Sequence, residues 1–156
     1  MGQNLTSKIL DSVILNGVSV VTSIYKDKKA GLTASWFAQI SFSPVLLMIS
    51  IAPQRHTYSI IKQSNIFNVN VLSNNQIDIA RHFGLTSGHT IDKFEKIMYS
   101  NGKNGAPVLP DTKAQFECNL LNTYVAGDHN ILIGEVTNFI EDKSKTPLLF
   151  KGTDYW

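Results

Sequence analysis

Three polar stretches of this 156-residue chain combine residue types and spacing that suit chemistry. Thr33-Ala34-Ser35 sets two hydroxyls around a small side chain, and Ser50 adds a third hydroxyl near the end of an apolar run. Backbone amides beside small side chains can approach a planar heterocycle closely. Arg55-His56-Thr57 follows the apolar run at the start of an expected helix. Arginine offers fixed donors there, and a helix N-terminus offers amides and a favourable dipole, which suits a phosphate. Gly127-Asp128-His129 puts a histidine just past a tight turn, where it can project from a barrel rim. Each stretch also has a plainer reading: an ordinary turn, a solvated helix cap, an exposed hairpin histidine. The helix cap fits Arg55-His56-Thr57 as well as a phosphate site does.

Other chemistries lack their signatures. There is no Walker-type phosphate loop, and no Gly-x-Gly-x-x-Gly follows a strand. His56, His82, His89 and His129 have no metal-ligand spacing, so no metal site is expected. Ser35 and Ser50 lack the nucleophile elbow of an acyl-transfer enzyme. Cys118, the single cysteine, reads as a small buried hydrophobe. Fourteen basic and twelve acidic residues give a net charge of +2, too even to imply a nucleic-acid or membrane-surface partner. The run Lys26-Asp27-Lys28-Lys29 reads as a hairpin tip. The first eight residues carry no apolar signal core and no apolar run is long enough to span a bilayer, so the expectation is a reduced, cytoplasmic protein. Length and a hydrophobic fraction of 43% fit one domain over residues 1–156.

The elements that must position these residues follow from periodicity. Gly17 to Tyr25 is β-branched and reads as a strand, with a hairpin partner after the Lys-rich tip that ends near Thr33 to Ser35. Trp36 to Ile40 suggests a helical turn. Val45 to Ile51 reads as a strand buried on both faces. Thr57 is expected to cap a short helix ending near Ser64, with Ile60 and Ile61 inward. Ile66 to Leu72 is another strand. A helix capped by Asn74 or Asn75 should bury Ile77, Ala80 and Phe83 and end at Gly84. Asp92 to Tyr99 is a weaker amphipathic segment, and 101–107 is loop. Ala114 to Tyr124 alternates Ala114, Phe116, Cys118 and Leu120 against Gln115, Glu117 and Asn119, and pairs with Asn130 to Ile140 as a hairpin. Pro147 to Phe150 supplies a last short strand, and residues 5 to 16 a helical or extended lead-in. About six strands that do not alternate with helices argue for a small, helix-decorated barrel over a doubly wound fold.

An ordered set of segments resembles the flavin reductase-like group of FMN-binding split barrels, which includes the reductase components of two-component monooxygenases. The carriers include Gly17-Val-Ser-Val-Val-Thr, Gly31-Leu-Thr-Ala-Ser-Trp-Phe, Ser43-Pro-Val-Leu-Leu-Met-Ile-Ser-Ile and Ser64-Asn-Ile-Phe-Asn-Val-Asn-Val-Leu. They continue with Lys93-Phe94, Gly105-Ala-Pro-Val-Leu, Glu117-Cys118, Gly127-Asp-His, Ile133-Gly134-Glu-Val and Pro147-Leu-Leu-Phe. The resemblance implies a mainly β, six-stranded split barrel, assembled as a homodimer with flavin near the subunit interface. It implies FMN, or alternatively FAD, as cofactor or flavin substrate, NAD(P)H as co-substrate, and a partner monooxygenase that receives reduced flavin. Thr33, Ala34, Ser35 and Trp36 are implied to contact the ring or ribityl chain, with Ser50 and Ala52 lining the ring. Arg55, His56 and Thr57 match the phosphate segment, Phe83 packs nearby, and His129 matches the histidine beside the flavin and nicotinamide. Trp36 is bulkier than the residue usual at its position. The implied activity is hydride transfer from a nicotinamide nucleotide to flavin; the rival readings are an FMN-holding electron carrier without NAD(P)H activity and a scaffold that has lost flavin.

Overall fold

A computed structural model describes residues 13 to 155. Most of the lead-in expected over residues 5 to 16 lies outside the described residues, as does Trp156. β1 (Ser19–Tyr25) and β2 (Lys28–Ala34) form the expected hairpin, with Ser19 opposite Ala34 and Tyr25 opposite Lys28. The Lys-rich run supplies its tip, where Lys26 takes a positive φ of 54°. β3 (Phe37–Phe42) and β4 (Val45–Ile51) form a second hairpin around the Ser43–Pro44 turn. α1 (His56–Ser64) leads into β5 (Ile66–Val71), and α2 (Ile77–Leu85) follows. Two-residue strands β6 (Ser100–Asn101) and β7 (Pro107–Val108) pair with each other. The long hairpin of β8 (Ala114–Ala126) and β9 (His129–Glu141) completes the main sheet, and a 3-10 turn spans Gly152–Asp154.

The main sheet is antiparallel in the order β2-β1-β5-β8-β9-β4-β3. It has seven strands, not the six expected, because Trp36 to Ile40 does not turn helically. Phe37 to Phe42 instead pairs with β4, and a register shift between Gln39 and Ser41 hides the period-2 pattern. The two outermost strands, β2 and β3, are consecutive in the chain and separated only by Ser35 and Trp36. Three Cα steps reach roughly 11 Å at most, so the sheet must curl until its edges approach at that end. No ladder joins β2 to β3 among the described residues.

The curled sheet holds one core on each side. Val21, Ile49, Phe67, Val69 and Leu132 are buried with Ile61 of α1 in the first. Val18, Val20 and Leu72 meet Ala80 and Phe83 of α2, with Phe94, in the second. β1 is buried on both faces because it serves both cores. β4 is not, contrary to expectation: Leu47, Ile49 and Ile51 are buried, whereas Leu46, Met48 and Ser50 face a side that nothing in the chain fully covers, and Val45 is exposed at the hairpin end.

Several boundaries move for local reasons. Arg55, not Thr57, is the N-cap of α1, because the Arg55 amide closes a turn onto the Ala52 carbonyl and starts the helix earlier. Ile60 and Ile61 face inward as expected. Gln76, not Asn74 or Asn75, precedes α2, and Asn75 instead accepts a bond from the Ser73 hydroxyl. α2 runs through Gly84 to Leu85, and the Thr86 hydroxyl donates to the His82 carbonyl. Residues 92–99 form turns, not a helix; the Asp92 carboxylate accepts the Phe94 amide. Pro147 to Phe150 makes isolated bridges, Ser73 to Pro147 and Gly17 to Leu149, in place of a strand. β8 keeps the expected alternation: Phe116, Cys118 and Leu120 meet the first core, Glu117 is buried on the other face, and the register shift opposite Glu117/Cys118 puts its extra residue, Thr137, in β9. Glu117 accepts the amides of Lys103 (3.1 Å) and Asn104 (2.9 Å) and the Asn138 side chain (3.0 Å), pinning the 101–107 loop to the sheet. Burial pushes the Glu117 carboxyl up, but these donors outweigh it and leave the group below its usual range.

Candidate active site

The curl brings four chain segments to one end of the sheet: the β2–β3 link, the end of β4, the start of α1 and the start of β9. They enclose a cleft of about 270 Å³ walled by Thr33, Ala34, Ser35, Trp36, Ser50, Ala52, Arg55 and His129. The Ser50 amide donates to the Trp36 carbonyl at 2.9 Å, locking the link onto β4. Asn130 donates to the Tyr58 hydroxyl at 2.8 Å and ties β9 to α1. The sequence-expected residues thus converge, though not all in the same capacity.

Thr33 lines the cleft, but its hydroxyl donates to the Ala80 carbonyl at 2.6 Å, so it fastens β2 to α2. Ala34 and Ala52 are buried and present small surfaces, while Ser35 and Ser50 are half-buried and make no side-chain hydrogen bond among the described residues. Phe83 is a core residue: a Cβ on Gly31 would stand 2.8 Å from its ring, and the ring contacts Phe94. It backs the neighbouring recess and does not enter the cleft. Trp36 lies against His129 with ring centroids 5.0 Å apart and an interplanar angle of 58°. His129 Nδ1 bonds the Asp128 carboxylate at 2.7 Å, and that bond holds Asp128 below its usual range. The histidine is therefore oriented from two sides.

A second recess of about 140 Å³ adjoins the cleft and shares Leu32, Thr33, Arg55 and Gly84 with it. Arg55, His56, Thr57, His89 and Lys93 line it, and no aspartate or glutamate does. No side chain caps α1 here and no acidic residue stands in its first turn. His56 and His89 lie edge to face at 5.2 Å. Burial, then the charges of His89, Lys93 and Lys28, push His56 below its usual range. His56 Nδ1 is buried without a hydrogen-bond partner, and a Cβ on Gly88 would come within 2.9 Å of it. An orphaned ring nitrogen among cations with no carboxylate is a donor set that fits a phosphorylated ligand whose planar part enters the cleft.

A family model described as flavin reductase like domain matches residues 12–155. The chain belongs to this family. A probable flavin reductase of Rhizobium meliloti is 36% identical over 124 residues, covering 79% of the chain and 39% of that relative. The reductase subunit HsaB of a flavin-dependent monooxygenase from Rhodococcus jostii is 30% identical over 139 residues, 89% of the chain and 70% of the relative. Among solved structures, the NADH:FAD oxidoreductase SgcE6 of Streptomyces globisporus C-1027 matches with a TM-score of 0.86 at 29% identity, covering 93% of the chain and 86% of SgcE6. The chain spans well under half the length of the Rhizobium relative. Within this flavin reductase-like domain, sequence reasoning missed Gly84, Leu85 and Phe150 in the cleft wall and His89 in the recess. Tyr155 also lines the cleft, stacked on Phe150 at 5.3 Å, and the aromatic tail was its only signal. His89 sits in the irregular segment after α2, where no local period marks it.

Among the described residues, no helix is long and apolar enough to cross a membrane, and no group of three or more His, Cys, Asp or Glu is placed to hold a metal ion.

Proposed function

We propose that this chain is an NAD(P)H-dependent flavin reductase that takes FMN, or FAD, into the cleft and supplies reduced flavin to a separate monooxygenase. One observation carries the reading: the small-walled cleft and the acid-free recess meet at Thr33, Arg55 and Gly84, so their walls suit a planar ring and a phosphate on one ligand. Membership of the flavin reductase-like family and the likeness to SgcE6 and HsaB support it.

Bound flavin supplies the hydride-accepting chemistry that no cleft side chain offers. The chain's own residues bind and orient. Ser35, Trp36, Ser50 and Ala52 would hold the ring, and Arg55, His56 and Thr57 the phosphate. His129, fixed by Asp128 and Trp36, would position the nicotinamide; hydride transfer needs no protein base. Leu85 and Phe150 add apolar wall to the cleft.

Two structural readings accompany this one. The curled sheet, whose edge strands are joined by two residues, fits a split barrel formed by the domain as one unit. The face left open on β4, with Leu46 and Met48, continues across the register into the half-buried Ile133 and Ile131 of β9 and the exposed Tyr124 of β8. This uncovered apolar stripe supports a homodimer through that face.

Steady-state assay tests the function. At protein levels far below flavin, NADH or NADPH oxidation should depend on added FMN or FAD. Flavin binding without nucleotide oxidation would favour the electron-carrier reading, and absence of both would overturn the proposal.

A further inference from the structure

Lys93 is a buried ammonium without a counter-charge. It is 7% exposed and donates to the carbonyls of Gly31 (3.0 Å) and Phe83 (2.8 Å). These bonds tie the end of α2 to β2 and use two of its three N–H groups. None of the ion pairs among the described residues includes it. A tie between two carbonyls needs donors but not a full charge, and a buried charge is costly unless it is compensated. The compensation has one open direction, because Lys93 forms part of the recess wall with Arg55, His56 and His89.

No acidic side chain lines the recess, and the charges that act on its members are cationic. Arg55 at the start of α1 is the charge that acts on Lys93, and His56 feels His89, Lys93 and Lys28 of the β1–β2 tip. His82 of α2 bonds the Lys93 carbonyl at 2.7 Å. Asp27 and Asp92 line an outer recess together with His56 and His89, and Asp92 is engaged by the Phe94 amide.

We propose that Lys93 is the deep cation of the phosphate subsite, its third N–H meeting the anion that Arg55 and His56 engage from the rim, so that anion binding is linked to the lysine's proton. The proposal rests on the flavin reading but names a residue and a linkage that the reading does not require. Burial, then Arg55, hold Lys93 down to about 8. A bound phosphate favours the ammonium form and raises that value. Affinity for the anion is therefore full below pH 8 and lost as pH rises above it. A phosphate monoester is already a dianion above about pH 6, so its own ionisation does not enter this window.

The experiment is titration of FMN and riboflavin, followed by flavin fluorescence, into wild-type protein and Lys93→Met between pH 7 and 9. In the wild type, the FMN-to-riboflavin affinity ratio should fall by up to about tenfold across that range. Lys93→Met should lose roughly 10- to 100-fold in FMN affinity, with little change for riboflavin and no pH dependence of the ratio. A pH-independent wild-type ratio overturns the proposal, and so do equal losses for both flavins, which would leave Lys93 a structural tie. If Lys93→Met does not fold, the wild-type ratio decides alone. If the wild type binds neither flavin, the flavin reading fails, and inorganic phosphate then tests the subsite separately. Phosphate should raise the melting temperature of the wild type and not of Lys93→Met, and no rise in the wild type would overturn the anion subsite itself.

Discussion

Arg55 is the residue whose role separates the two halves of the candidate site. It lines both the cleft and the recess, and its guanidinium is exposed at their junction. Arg55→Ala should therefore weaken FMN by roughly tenfold while riboflavin, which lacks the phosphate, binds nearly as before. Equal weakening in equilibrium titrations would remove Arg55 from the phosphate. At this scale the sequence was informative where chemistry is local: a hydroxyl beside a small residue, or an arginine at a helix start, is visible in a few letters. It was silent where a side chain is recruited from afar. Thr33 looked like a ligand hydroxyl, yet its proton goes to the Ala80 carbonyl 47 residues away. Phe83 looked like a packing partner for the ligand, yet Gly31 lets its ring sink into the core. Trp36, the bulky exception, is accounted for by its contact with His129 and by its backbone bond to Ser50.

Among the elements, β9 makes the closest approach, over β5 and β8. A Cβ on Gly134 would stand 2.5 Å from the Phe67 ring and 2.8 Å from Cys118 Cβ, both rigidly packed. Gly134→Ala should cost about 1–3 kcal/mol in denaturant unfolding. Glu117→Gln puts an amide where three donors converge and should cost on the order of 2–4 kcal/mol. Its pH signature has a definite sign. The folded carboxyl sits below its ordinary value, so its stabilisation is present above that value and lost as pH falls through the folded one. The wild type should thus lose more stability on acidification than Glu117→Gln. Strands with clean β-branched runs, such as β1 and β5, were legible because their period survives. β3 was not, because its bulge breaks the alternation. The alternation of β8 was legible as well, with Glu117 on the face opposite Cys118, but not that the 101–107 loop would fold over Glu117 and bury it.

For the whole molecule, the open side of β4 is the feature that a single chain leaves unexplained. If a second copy covers it, Met48→Glu combined with Ile133→Glu should convert a dimer to a monomer in light scattering after gel filtration. A wild type that is already monomeric would contradict the homodimer. The mainly β class was readable from strands that do not alternate with helices, but strand order was not. Only the full ladder shows that β2 and β3, adjacent in the chain, are the two edges of one sheet, and that this alone closes the cleft. The central claim is that flavin is reduced by a nicotinamide nucleotide at the cleft that holds His129. The most direct test mixes FMN with NADH or NADPH anaerobically, at catalytic amounts of protein, and follows bleaching of the flavin band. The wild type should bleach many equivalents, and His129→Ala should do so roughly 10- to 100-fold more slowly with FMN affinity largely kept. Bleaching no faster than without protein, or undiminished in His129→Ala, would contradict the account.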